Sequence, residues 1–462
     1  MKPPTFQQFY ATNKNTTNFV LSLVIALIAT IVVKEPSFTQ AQNDVLFLLI
    51  FSVLLWLTEA VSPFSVGLFI VAFLVYSLGF DIFTDEPQDI SVFANTFSSS
   101  VIWLLLGGFF LASAMTKTKL DEDLIHLTLR ICGTNPKWIL FGLMTVTMVA
   151  SMLISNTATT AMVVASLIPL INKLGKESKT GKALLLGIPI AATTGGMGTL
   201  IGTPPNAIAV GALNNAGIAM EFVDWLKFGM PIAILLTFIS WWVLVKLFMK
   251  VVEPITIAKE NNQKNGVDPT IKTQRNIVIG VLIVTLIMWL STPLHGIRAA
   301  AVSAIPLVVL TLTGVLKGAD IRAMGWDTLL LVAGGLSLGI GLQETGLLTI
   351  YAERIATIEV SNTVFLLILA YATMLFSNIM SNTATSTVLI PLGMAILPEM
   401  QLEVAMIIGL SASTALFLPV STPPNAIVYS TGLIEQKDLR LGGALIGLIG
   451  PALIVLWVLL IS

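Results

Sequence analysis

An all-α polytopic membrane protein, built as an inverted repeat around two opposed re-entrant hairpins, is the fold this sequence predicts. Three observations predict it. Of 462 residues, 55% are hydrophobic and only 11% charged, with a mean hydropathy of +0.91, whereas soluble domains carry roughly 25% charged residues. Apolar runs recur along the chain, many near the ~20 residues that cross a bilayer as a helix. Two polar motifs each occur twice inside such runs. Ser155-Asn156-Thr157-Ala158-Thr159 returns as Ser381-Asn382-Thr383-Ala384-Thr385, and Thr203-Pro204-Pro205-Asn206-Ala207 returns as Thr422-Pro423-Pro424-Asn425-Ala426.

Polar, helix-breaking sequence at membrane depth is tolerated only where it is buried in protein or lines a cavity. Matching interruptions in two halves of a hydrophobic chain mark a transporter binding site at a repeat interface. One Ser-Asn-Thr alone is more often a kink, and one Pro-Pro a bend. Their recurrence in the same order carries the inference. Gly107-Gly108 also returns, as Gly334-Gly335, although by themselves such pairs, like Gly195-Gly196 with Gly198, signify close helix packing.

Composition excludes several classes. A net charge of −1 implies no nucleic-acid partner, and one cysteine, Cys132, excludes a disulfide framework or thiolate cluster. His126 and His295 sit beside loops, away from any metal-ligand spacing. No catalytic dyad, metal cluster or nucleotide loop supports a membrane enzyme.

Residues 1–16 are polar, and 19–33 form the first membrane helix, without the clear basic start and small-residue cleavage site of a signal peptide. Basic residues accumulate in cytoplasmic loops, so Lys2 and Lys14 place the N-terminus inside, while Asp85, Glu86 and Asp89 suit an outer loop. The stretch 138–172 has Lys117, Lys119, Arg130 and Lys137 before it and Lys173, Lys176, Lys179 and Lys182 after it. Both its ends therefore lie inside, and it must enter and turn back at Ser155-Asn156-Thr157. The stretch 361–398 is flanked by Glu344, Glu353, Glu359, Glu399 and Glu403, with Arg354 the only basic residue close by. It is the outer hairpin. Lys259, Lys264, Lys272 and Arg275 make the linker 251–275 cytoplasmic; Lys317 and Arg322, then Lys437 and Arg440, mark further inner loops. The last helix, about 441–460, ends outside, and Lys34 and Arg298 fall on the unfavoured side. The total is about eleven spanning segments beside the hairpins.

Segments 119–132 and 346–358 mix charged with apolar residues and predict short interfacial helices. The chain thus divides into scaffold helices 1–137, a hairpin and broken helix 138–250, the linker 251–275, a second scaffold 276–360, and a second hairpin, broken helix and last helix 361–462.

Ser, Thr and Asn favour helix N-caps because their side chains accept bonds from free backbone amides, and Pro presets a first helical turn. Four half-helix N-termini, two of them capped by Thr203 and Thr422, then converge near the midplane. Each carries roughly +0.5 charge and free N–H groups, which suit an oxyanion. No cationic side chain lies within 138–172, 183–215, 361–398 or 404–434. A dianion there needs bound cations, held by hydroxyl, amide and backbone carbonyl oxygens. Ser151 and Ser377 stand four residues before Ser155 and Ser381, on a shared helix face. The first cation site would use Ser151, Ser155, Asn156 and backbone near Gly202. The second would use Ser377, Ser381, Asn382 and backbone near Ser421.

Paired Ser-Asn-Thr tips with paired Thr-Pro-Pro turns resemble the divalent anion/sodium symporter family, which includes sodium–dicarboxylate cotransporters, over nearly the whole chain. The resemblance implies a homodimer whose protomers move a transport domain against a scaffold as an elevator. It implies substrate carboxylates at Asn156, Thr157, Ser381, Asn382 and Thr383, with Thr203, Thr422 and Pro423 from the turns, and Na+ at both cation clusters. Small residues are common in the family where Ser421 stands. Paired hydroxyl–amide tips suit two carboxylates on a short chain. The expected function is therefore sodium-coupled symport of C4-dicarboxylates such as succinate, malate and fumarate, by a lipid-embedded protein of the inner membrane. Sodium-independent exchange of dicarboxylate or citrate is the alternative, with a sulfate carrier or an ion channel further off; closed symmetric hairpins argue against a continuous pore.

Overall fold

Helices account for the apolar runs, and no strand occurs among the described residues of this computed structural model: 13–84, 86–175, 178–249, 269–356 and 360–462. Lys2, Asp85, Lys176, Glu359 and linker residues 251–268 lie outside the described residues. In hydrocarbon each backbone N–H and C=O must be satisfied within its own segment, which selects helix.

The first half comprises α1 (Lys14–Val33), α2 (Gln40–Thr58), α3 (Pro63–Gly79), α4 (Ser100–Lys117), α5 (Leu120–Ile131), α6 (Pro136–Ser151), α7 (Asn156–Leu174), α8 (Lys179–Gly196), α9 (Pro204–Asn215) and α10 (Phe222–Phe248). The second comprises α11 (Pro269–Leu290), α12 (Ala304–Leu312), α13 (Trp326–Glu344), α14 (Leu347–Ala356), α15 (Asn362–Ile379), α16 (Asn382–Ile396), α17 (Gln401–Ser411), α18 (Pro423–Ser430) and α19 (Gln436–Ile461). From α2 onward the order of the first half returns in the second. α5 and α14 are the two short helices expected after the double glycines.

Among the described residues, 9 helices are long and apolar enough to cross a membrane, or 10 if a pair bent by 116° at Leu397 counts as one span. The shorter apolar helices α3, α6 and Ala299–Leu312 fall below that length. Counting α8 with α9 and α17 with α18 as one broken crossing each, the helices accommodate the eleven expected segments beside the arms α6–α7 and α15–α16.

Local signals set the helix starts. Thr39 and Gln42 form a capping box at α2, with bonds of 3.2 and 3.0 Å. Pro63 and Pro136 open α3 and α6. α19 begins at Gln436, before the expected 441, because Glu435 and Asp438 cap it, Glu435 N donating to Asp438 Oδ2 at 3.1 Å. The Lys182 ammonium lies 3.5 Å from the same carboxylate, tying the start of α8 to the start of α19.

Two glycine contacts set how closely helices approach. A Cβ on Gly334 of α13 would lie 2.3 Å from the Gly67 Cα of α3, and one on Gly107 of α4 would lie 2.6 Å from Ser303 Cβ, just before α12. The first glycine of each pair thus presses on α3 or on the residue before α12. The second presses on other elements: Gly108 on Ile201, and Gly335 on Thr387 of α16. α13 stands at the boundary of two apolar clusters, with Val332 and Leu336 in one and Leu331, Leu338 and Leu342 in the other.

Backbone cannot yield as a side chain can, so Gly334→Leu should destabilise the fold by about 1–3 kcal/mol. A Cβ on Gly280 would meet nothing within 4 Å, so Gly280→Ala should raise the unfolding midpoint slightly. Thermal unfolding in detergent compares the two; equal midpoints would rule out the close approach of α3 and α13.

Candidate functional site

Two hairpin tips and two helix interruptions meet at one place. α6 ends at Ser151 and α7 begins at Asn156, with Ser155 Oγ accepting Ala158 N at 3.2 Å. α15 ends at Ile379 and α16 begins at Asn382, with Ser381 Oγ accepting Ala384 N at 3.1 Å. Both serines cap as their residue type favours. In the second interruption Thr422 Oγ1 accepts Asn425 N at 3.3 Å. Thr203 stands at the N-cap of α9 but its side chain makes no capping bond, which departs from expectation. Its buried position and extended backbone start the helix with Pro204 and Pro205 alone.

A cavity of about 750 Å³ is lined by Ser155, Asn156, Thr157, Gly202, Thr203, Ser381, Asn382, Thr383, Ser421, Thr422 and Pro423. Every residue assigned to substrate is therefore brought together. Ser151 and Ser377 do not line it. Both are fully buried behind the tips.

The shared helix face expected for Ser151 with Ser155, and for Ser377 with Ser381, is not formed. Each helix stops between the two serines, so the second becomes a cap on the next element. Ser151 Oγ turns instead to Asn156 Oδ1 at 2.5 Å and Ala192 O at 2.7 Å. The second half differs: Ser377 Oγ and Asn382 Oδ1 are buried with no hydrogen-bond partner. Such orphaned oxygens cost about 1–3 kcal/mol each. No group of three His, Cys, Asp or Glu side chains is placed to hold a metal among the described residues. The available donors are hydroxyl, amide and carbonyl oxygens, which suit a hard cation.

The interruptions are held by residues whose role the sequence did not single out. Asn206 Nδ2 donates to Gly196 O at 2.8 Å and Thr199 O at 2.7 Å. Asn425 Nδ2 donates to Leu416 O at 2.9 Å and Leu418 O at 3.0 Å. Each asparagine closes the Thr-Pro-Pro-Asn motif, so its recurrence was the available signal. Trp225 Nε1 takes another freed carbonyl, Met197 O, at 2.9 Å. Asn378 Oδ1 accepts Ser421 Oγ at 2.7 Å and Phe417 N at 2.9 Å, locking the second tip to the second interruption. Thr199 Oγ1 bonds Met152 O and locks the first pair likewise. A Cβ on Gly196 would lie 2.7 Å from Asn156 Oδ1, so the amide packs directly on backbone.

The cavity is also lined by Ser113, Thr116 and Lys117 of α4 with Asp320 and Thr328. Sequence patterning uses Lys117 only as a topology marker. The Lys117 hydrogen bond holds the Asp320 carboxyl below the usual carboxylate range.

Residues 13–462 match the family model of the sodium:sulfate symporter transmembrane region. A Haemophilus influenzae protein described as an uncharacterized transporter is 30% identical over 456 residues, covering 95% of each chain. The sodium-dependent dicarboxylate transporter SdcS of Staphylococcus saprophyticus is 28% identical over 439 residues, 87% of this chain and 82% of that one. The sodium-dependent high-affinity dicarboxylate transporter 3 of Caenorhabditis elegans is 28% identical over 419 residues, 78% of this chain and 74% of its own. Among solved structures, the Alcanivorax borkumensis YdaH transporter overlays with a TM-score of 0.55 at 14% identity, covering 86% of this chain and 98% of its own. Neisseria gonorrhoeae MtrF, from a class of antimetabolite efflux pumps, overlays at 0.57 and 12% identity, over 89% of this chain and 98% of its own. These two share the fold alone. With its family model matched from residue 13 to residue 462, the chain belongs to the divalent anion/sodium symporter family, and it is a multi-pass membrane transporter rather than an enzyme.

Proposed function

We propose that this protein is a sodium-coupled symporter that imports C4-dicarboxylates such as succinate, malate and fumarate across the inner membrane. One observation carries the proposal: both Ser-Asn-Thr tips and both Thr-Pro-Pro turns line a single cavity. Sodium dependence and dicarboxylate transport in the two named relatives support it.

In this scheme Asn156, Thr157, Ser381, Asn382 and Thr383 receive the two carboxylates, with Thr203, Thr422 and Pro423 completing the walls. Free N–H groups at the starts of α7, α9, α16 and α18 supply partial positive charge. Ser151, Ser155, Asn156 and backbone at Gly202 serve the first sodium ion. Ser377, Ser381, Asn382 and backbone at Ser421 serve the second, where the unpartnered Ser377 and Asn382 oxygens support a cation. Sodium travels here as co-substrate. Ions and dianion together approach neutrality, which lowers the cost of moving the site through the bilayer.

On the pattern of basic loops, the proposal sets the N-terminus in the cytoplasm and the C-terminus outside, with the halves inverted and Lys117 at the cytoplasmic mouth of the cavity. Homodimerisation and elevator movement of α6–α10 and α15–α19 against the remaining helices complete the proposal, on the family resemblance.

Three outcomes are expected. Succinate uptake into proteoliposomes should collapse when choline replaces sodium; uptake that ignores sodium but requires internal dicarboxylate would make the protein an exchanger. Asn156→Ala and Asn382→Ala should each abolish uptake while the purified protein keeps its oligomeric state, and unchanged transport would remove that residue from the site. Succinate with sodium should raise the thermal midpoint, since ligand at a hundredfold its Kd stabilises by ~2.7 kcal/mol. A larger shift with sulfate or citrate would reassign the substrate.

A further inference from the structure

One cationic side chain stands among the described residues that line the cavity, Lys117 at the end of α4. Its ammonium lies 2.5 Å from Asp320 Oδ2, and the two side chains are 30% and 24% exposed. Asp320 Oδ2 also accepts Lys317 N at 2.7 Å, so the carboxylate is anchored to backbone while the ammonium rides on a flexible four-carbon stem. One partner is therefore fixed and the other is free to swing. Ser113 and Thr116 of the same helix line the cavity together with the Ser-Asn-Thr tips.

The repeat makes the charge informative. Lys117 stands nine residues after Gly108, and the residue nine after Gly335 is Glu344. The cavity beside that second position, about 440 Å³, is lined by Gln343 and Glu353 and by no lysine or arginine among the described residues. Corresponding positions of the two halves thus carry opposite signs.

We propose that Lys117 is the anion-guiding residue of the cavity mouth, its ammonium exchanging Asp320 for a substrate carboxylate as the dianion passes between water and the Ser-Asn-Thr tips. The assignment rests on the dicarboxylate function proposed above and adds a residue outside the paired motifs. Lys117 meets the substrate before the half-helix N-termini do, and a charge at the rim of a cleft acts on encounter more than on final affinity. Asp320 has a defined part: it competes for the ammonium, so the dianion is passed on rather than held at the mouth.

Transport into membrane vesicles of the two orientations, prepared from one bacterial expression host, separates the mouths. With inside-out vesicles, Lys117→Gln should raise the succinate KM roughly five- to tenfold at low ionic strength, as expected for loss of steering charge. The difference should close as potassium chloride screens the rim. In right-side-out vesicles the KM should stay near that of the unaltered protein. Lys117→Arg should retain the low KM, and Asp320→Asn should lower it further. Should Lys117→Gln fail to fold, the double variant Lys117→Gln with Asp320→Asn leaves no unpaired carboxylate and carries the same expectation. An unchanged inside-out KM, or an equal change at both mouths without salt dependence, would overturn the assignment and leave Lys117 a structural ion-pair partner. Absence of sodium-dependent succinate transport by the unaltered protein in either orientation would overturn the function proposed above instead.

Discussion

Breaking a helix inside a membrane leaves backbone carbonyls and amides without partners, and the architecture is organised around satisfying them. Water is absent at that depth, so each unmet group is costly. Asn206 and Asn425 answer for the carbonyls, each spanning two of them with one amide nitrogen. Ser155, Ser381 and Thr422 answer for amides at the half-helix starts. After these bonds Ser377 Oγ and Asn382 Oδ1 remain without a hydrogen-bond partner, and Asn382 lines the cavity.

Pairing of a tip with an interruption occurs twice, by different bonds. In the first half Ser151 reaches Asn156 and Ala192 O. In the second, Asn378 reaches Phe417 N and Ser421, and the residues corresponding to Ser151 and Asn156, namely Ser377 and Asn382, are left with unpartnered oxygens. The motif repeats letter for letter while its hydrogen bonds do not, because the loops around it differ: Thr199 braces one tip and a proline-containing stretch, 415–422, braces the other.

Glycines decide how closely helices approach. Gly334 meets Gly67 backbone and Gly107 meets Ser303, whereas their neighbours Gly108 and Gly335 face the Ile201 and Thr387 side chains. One dipeptide thus serves two surfaces of a helix.

Much was legible in the order of residues alone. Recurrence of Ser-Asn-Thr and Thr-Pro-Pro identified the four breaks, because few other residue types cap or interrupt a helix in hydrocarbon, and apolar length identified the crossings. Sequence by itself therefore determined the helical class, the recurrence of the motifs and the substrate-assigned residues that line the cavity. Only the tertiary structure decided which oxygens remain free, that Ser151 faces Asn156 rather than Ser155, that Thr203 does not cap, and that Lys117 and Asp320, 203 positions apart, share the cavity wall. The physical reason is that propensity acts within one turn of helix, whereas a hydrogen bond between distant segments depends on where packing sets them down.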